Sequence, residues 1–241
     1  MRPGERGAPP LLSVAGLRLA YGDVQALDGV GFELIEGEIL GLIGPNGAGK
    51  TTLLECLAGF VAPNAGEVRL RGQALPLARR REQLFYLPDG ITPFGDLSVG
   101  RVLTAYGRLH GQPRALLASL VEGLDLAPVW RKTVAALSKG YRRRLLLALG
   151  LLAPQPILLL DEPFDGFDLR QTLAVVELLR EVARRRTLLL SIHQLADAER
   201  ICDRFLLLAE GRSLACGSLA ALRERSGAPG ARLEEVFLAL T

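Results

Sequence analysis

Gly44-Pro45-Asn46-Gly47-Ala48-Gly49-Lys50-Thr51 constrains this chain more than any other stretch, because it fits G-x-x-x-x-G-K-[ST], the phosphate-binding loop motif. The apolar run Ile39-Leu40-Gly41-Leu42-Ile43 before it predicts a buried strand, and Thr52 to Ala58 after it predicts a helix. A strand–loop–helix unit is the context in which such a loop works. Glycines let the backbone wrap closely round an anion with several N–H groups turned inward, and the helix start adds the positive end of its dipole. Lys50 is placed to reach β- and γ-phosphates, and the Thr51 hydroxyl to ligate Mg²⁺. The chain has three lysines against 26 arginines, which argues against a chance lysine at this position.

Length and composition bound the rest. With 241 residues, 49% of them hydrophobic, the chain suffices for one large domain or two lobes sharing a core. No apolar run approaches the roughly 18 residues of a membrane span. The longest, Leu145 to Ala153, lies between three arginines and Pro154 and predicts a buried helix. Residues 1–10, rich in Pro, Gly and Arg, lack the apolar core of a signal peptide and are expected to be a disordered arm. Cys56, Cys202 and Cys216 form no C-x-x-C pair, as expected of reduced thiols in a cytosolic protein. Net charge is +3. The arginine triplets at 79–81, 142–144 and 184–186 are read as solvated helix faces or ends rather than as a nucleic-acid or lipid-headgroup patch.

Leu11 to Ala20 and Val30 to Leu34 alternate with period two and predict antiparallel strands. Short strands follow at Glu67–Leu70 and Leu84–Leu87. From Ser98, a plausible helix cap, to about Ala153 the pattern turns helical, interrupted by Gly111-Gln112-Pro113. Strands return at Ile157–Leu160, Thr187–Leu190 and Arg204–Ala209, with helical segments between them. This alternation predicts an α/β fold with a mainly parallel sheet covered on both faces, an N-terminal antiparallel β subdomain and an inserted helical lobe at about 89–154.

The strand Ile157–Leu160 ends in Asp161-Glu162. Ligands of open α/β sheets sit at the carboxyl ends of the strands, so Asp161 is expected beside the phosphate loop, holding Mg²⁺ directly or through water. Glu162 can address a water in line with the γ-phosphate. His193, one of two histidines, follows the strand Thr187–Ile192 and is placed to sense that phosphate. His110 has no such context and reads as structural.

Together these features resemble the nucleotide-binding subunit of an ATP-binding cassette (ABC) transporter over about residues 12–222. The phosphate loop, Leu137-Ser138-Lys139-Gly140-Tyr141 as a form of the LSGGQ signature, Asp161-Glu162 and His193 carry the resemblance, in that order. Gly166-Phe167-Asp168 is similar to the family's D-loop, and Tyr21 to the aromatic that stacks on adenine. The resemblance implies a P-loop NTPase (RecA-like) domain over 11–225, followed by a loop and short helix at 226–241. It implies ATP bound by Tyr21, Gly44, Pro45, Asn46, Gly47, Ala48, Gly49, Lys50, Thr51 and Thr52, with Mg²⁺ at Thr51, Asp89 and Asp161. It also implies catalysis by Glu162 as base with Lys50 and His193. Two subunits, identical or paralogous, would close head to tail over two ATP molecules. Ser138, Lys139 and Gly140 would then meet the γ-phosphate in trans, with Asp168 in the D-loop.

Two positions depart from the family pattern. Asp89 stands where the Q-loop carries Gln, and the signature has Lys139 and Tyr141 where Gly and Gln are usual. With the closing Leu233–Leu238 segment, these variations look like the exporter branch. Implied partners are integral membrane permease subunits, with the chain on the cytoplasmic face of the cell membrane and no nucleic acid expected. The alternatives are a soluble ABC-type ATPase acting on nucleic acid or ribosomes, which would carry a coiled coil or two cassettes, and a P-loop kinase, which needs neither signature nor His193.

Overall fold

The computed structural model describes residues 9–91 and 94–241. All but the end of the expected N-terminal arm, residues 1–8, lies outside that range. Strand β1 (Leu12–Tyr21) forms a hairpin with β2 (Val24–Leu34), and β3 (Ile39–Ile43) leads through the glycine loop into α1 (Lys50–Ala58). Strands β4 (Ala65–Leu70) and β5 (Gln73–Ala74), helix α2 (Arg80–Gln83) and strand β6 (Leu84–Leu87) follow. The helical lobe comprises α3 (Val99–Leu109), α4 (Arg114–Gly123) and α5 (Lys139–Leu152). The chain then runs β7 (Ile157–Asp161), α6 (Leu169–Ala183), β8 (Thr187–Ser191), α7 (Leu195–Ile201), β9 (Arg204–Ala209), β10 (Arg212–Gly217), α8 (Leu219–Ser226) and α9 (Leu233–Leu240).

Two sheets organise these elements. The antiparallel one has the order β2-β1-β4-β5, and the other β10-β9-β3-β8-β7-β6. In the larger sheet every pair is parallel except β10 with β9. Strands β3, β7 and β8 are buried at every residue, which is why they read as unbroken aliphatic runs rather than alternating ones. Their alternate side chains enter two different cores. Ile39, Ile43, Leu158, Leu160, Leu188 and Leu190 face the helical lobe, α6 and α7. Leu40, Leu42, Ile157, Leu159 and Leu189 pack with α1 and the antiparallel sheet.

At the foot of β3 a charge is fully buried. Glu38 accepts two hydrogen bonds, each 3.1 Å, from Arg204, and its Oε1 accepts from the Ile35 amide at 2.6 Å. The pair ties the start of β3 to the start of β9.

The expected strand at Val30–Leu34 begins six residues earlier. Val24 to Asp28 continue the hairpin although Asp28 and Gly29 interrupt the apolar alternation. The solvated reading of the arginine triplets needs correction at three positions. Arg80, Arg143 and Arg144 are 5–8% exposed, each with internal acceptors: Arg80 on the Cys56 carbonyl and Arg144 on Asp125. Helix geometry explains the inward turn in α5, since Arg143 and Arg144 lie one turn before the buried Leu147 and Ala148.

Candidate nucleotide site

The loop between β3 and α1 is shaped by contacts that only glycine permits. A Cβ at Gly44 would lie 2.2 Å from the Leu208 carbonyl oxygen, and one at Gly49 2.6 Å from that of Ala26. Gly49 also has φ of 97°, in the region that favours glycine, and is the N-cap of α1. The loop is therefore pinned between β9 and β2. Lys50, at the first position of α1, is buried, and its Nζ donates to the carbonyls of Gly44 (2.7 Å) and Pro45 (3.1 Å). Burial lowers its pKa, and Glu162 and Asp161 oppose that shift.

Strand β7 delivers Asp161 to the mouth of this loop. Its Oδ2 accepts from the Thr51 hydroxyl at 2.9 Å and from the Tyr86 hydroxyl at 3.3 Å. Burial pushes the Tyr86 phenol well above its ordinary value, so it stays a donor. Sequence reasoning took Tyr86 for a strand residue only. The parallel pairing of β6 with β7, legible in neither segment alone, sets it against the carboxylate.

Glu162 lies one residue past the strand with φ of 52°, an uncommon conformation for a side chain of this size. Its carboxylate is gripped from β8 and beyond. Oε1 accepts from the Ser191 hydroxyl at 3.0 Å and stands 3.1 Å from His193 Nε2; Oε2 accepts from the His193 amide at 3.2 Å. Burial raises its pKa, against the opposing pull of His193, Ser191 and Lys50. A raised carboxyl is a stronger proton acceptor, as a base for water requires.

These side chains share one cleft of about 360 Å³, lined by Asn46, Gly47, Gly49, Lys50, Thr51, Thr52, Asp89, Asp161, Glu162 and His193, together with Val24, Gln25 and Ala26 of β2. A larger cavity, about 720 Å³, lies in the helical lobe between α3 and α4, beside Trp130, away from this chemistry. The other expected residues fall elsewhere. Gly44, Pro45 and Ala48 form the loop without lining the cleft. Tyr21, half exposed at the end of β1, is outside the lining. Ser138 caps α5 by accepting from the Tyr141 amide, and Asp168 caps α6 by accepting from Gln171 at 2.8 Å. Lys139 pairs with Asp165 at 2.9 Å, and Gly140 stands beside Gly166. The signature segment thus borders the turn after β7 but contributes nothing to its own chain's cleft. Asp89 lines the cleft and also pairs with Arg143 at 3.0 Å.

The donor set suits a phosphate chain and a hard cation. Loop amides, a helix N-terminus and a buried ammonium face the anion side, and the Thr51 and Asp161 oxygens the cation side. Among the described residues no helix is long and apolar enough to cross a membrane.

Residues 27–165 match the family model described as ABC transporter. Nod factor export ATP-binding protein I of Ralstonia nicotianae (strain ATCC BAA-1114 / GMI1000) is 39% identical over 220 residues, which is 88% of this chain and 68% of that protein. A solved ATP-binding subunit of an ABC transporter superposes with a TM-score of 0.86 at 32% identity, covering 95% of this chain and 99% of that one. A bacterial Atm1-family ABC exporter with ATP bound gives 0.82 at 27% identity, over 98% of this chain and 42% of the exporter.

Proposed function

Because the chain belongs to the ABC transporter family, as its ATP-binding and ATP-hydrolysing subunit, we propose that it drives export through separate integral membrane permease subunits. Its place is then the cytoplasmic face of the cell membrane, held there by the permease. Names of relatives such as the Nod factor export protein support the outward direction, and favour transport over action on nucleic acid or ribosomes.

One observation carries the working unit. Phosphate loop, Asp161, Glu162 and His193 share a cleft, whereas Ser138, Lys139 and Gly140 stand outside it at the N-terminus of α5. A single chain therefore presents half a site, and two subunits, this chain with a second copy or a paralogue, complete each other's. Ser138 and the Gly140 amide would meet the γ-phosphate across that interface, where the α5 dipole favours an anion. Lys139 adds positive charge, and Asp168 holds the start of α6 at the same border. Tyr21 offers an exposed ring face for adenine.

Within the cleft each residue has a distinct task. The loop amides of residues 44–50 and the Thr52 region cradle the phosphates. Lys50 leaves the Gly44 and Pro45 carbonyls to neutralise them. Thr51 and Asp161, with Asp89 from the same cleft, would hold Mg²⁺, which when bound supplies further positive charge to the phosphate oxygens. Glu162 accepts the proton of the attacking water, oriented by Ser191 and His193. His193 reports the presence of the γ-phosphate to the β8 end of the site.

The experiment is Lys50→Ala in the purified chain. ATP hydrolysis should fall by about two orders of magnitude or more, as expected for loss of a preorganised charge at the phosphates, and ATP binding should weaken with it. Wild-type hydrolysis by the variant would overturn the site assignment.

A further inference from the structure

Arg143 is 5% exposed, yet its guanidinium serves three acceptors. Nη1 lies 3.0 Å from Asp89 Oδ1, while Nη2 donates to the backbone carbonyls of both Asp161 and Glu162. Three partners on one planar fork suit arginine and not lysine. The neighbouring arginines have other work: Arg144 binds Asp125, and Arg142 reaches the Leu137 carbonyl.

The carbonyls that Arg143 holds belong to the turn in which Glu162 takes its positive φ. A turn of that kind persists only where its surroundings fix it. Here β8 grips the side chain of Glu162, and Arg143 grips the backbone carbonyls on either side of its Cα. The third acceptor adds an electrostatic reason. Asp89 puts a carboxylate into a cleft that already holds Asp161 and Glu162, where a neutral amide would add none. A buried guanidinium directly behind it cancels that charge.

We propose that Arg143 is a positioning residue for ATP hydrolysis: it fixes the 161–162 turn that aims Glu162, and through Asp89 it ties that turn to the segment entering the helical lobe. The inference rests on the reading of Glu162 as the base, but its structural half does not require nucleotide.

The test is a double-mutant cycle on the full chain with Arg143→Gln, Asp89→Asn and both, plus Arg143→Lys. Hydrolysis and equilibrium ATP binding are measured, together with hydrogen exchange of the nucleotide-free protein over 84–91 and 157–165. Arg143→Gln should lower kcat by about tenfold or more while KM for ATP stays within about threefold, and the double variant should lose no more than Arg143→Gln alone, the mark of coupled residues. Arg143→Lys keeps the charge but not the fork, so it should restore less than half of the lost kcat. Exchange over 157–165 should quicken in every variant, Asp89→Asn included. Additive losses, an effect confined to ATP binding, or full recovery with lysine would overturn the proposal. If Arg143→Gln does not fold, Asp89→Asn decides alone, since faster exchange restricted to 84–91 would show that the turn is not tied to Asp89. A wild type that hydrolyses no ATP would instead defeat the assignment of the site, while the exchange data would still judge the clamp.

Discussion

Glu38 shows how one residue can tune the pH response of the fold. It is fully buried, and desolvation raises its pKa despite the opposing Ile35 amide and Arg204. The native carboxyl therefore keeps its proton to higher pH than the unfolded one. Between the ordinary value of 4.5 and the raised native value, unfolding releases a proton, so this group's contribution to stability declines as pH rises. Glu38→Gln removes the titration. The gap between wild-type and variant melting temperatures should shift in favour of Gln as pH rises through that window, then level off. A gap that stays constant from pH 4 to 7 would contradict the raised pKa. Glu38→Ala, which strands Arg204 beside β9, should cost about 3–5 kcal/mol by chemical denaturation. At this scale the shared position of Lys50, Thr51, Asp161, Glu162 and His193 in one cleft was legible, because each follows a strand or glycine motif that fixes its surroundings. Arg143 and Tyr86 stayed hidden because their partners come from segments 18 and 75 residues away.

Helix α3 carries a test of packing against propensity. At Gly100 a Cβ would lie 2.4 Å from Trp130 Cε2, so the glycine admits the indole rather than supplying a turn. Alanine gains about 1 kcal/mol of helix propensity, and overpacking costs about 1–3 kcal/mol. Gly100→Ala should therefore destabilise by up to about 2 kcal/mol and shift the emission of Trp130, the sole tryptophan. Stabilisation with unchanged emission would refute the close contact. Elements with long apolar runs or clear caps were legible: β3, β7, β8, β9, and α3 behind its Ser98 cap. Those lacking such marks were not. Strand β10, Arg-Ser-Leu-Ala-Cys-Gly, has no β-branched residue, and pairing with β9 decides its conformation. Helix α8 has a Ser218 cap, but its eight residues are half polar and bury only Leu222, too short a pattern to show an apolar face.

For the whole molecule, the proposal that each chain presents half a site makes assembly measurable. Glu162→Gln keeps the shape of the carboxylate but not its basicity, so the variant should bind ATP without turnover and elute as a dimer with Mg²⁺-ATP while wild type remains mostly monomeric. A monomeric variant that binds ATP would contradict closure over shared nucleotide. The order of the large sheet has a consequence for the time at which any site exists. Among the described residues strand β3 pairs with β8 and β9 alone, whose residues come about 150–165 positions later. During synthesis at about 5–20 residues per second, the phosphate loop is therefore made about 7–30 seconds before its supporting strands. Through that interval Ile39–Ile43 is an apolar segment with both edges open, and a nascent chain stalled before residue 187 has the whole glycine motif and no strand beside it to hold it in shape. Newly made protein should consequently acquire nucleotide affinity only in its last quarter, after the signature helix has already left the ribosome.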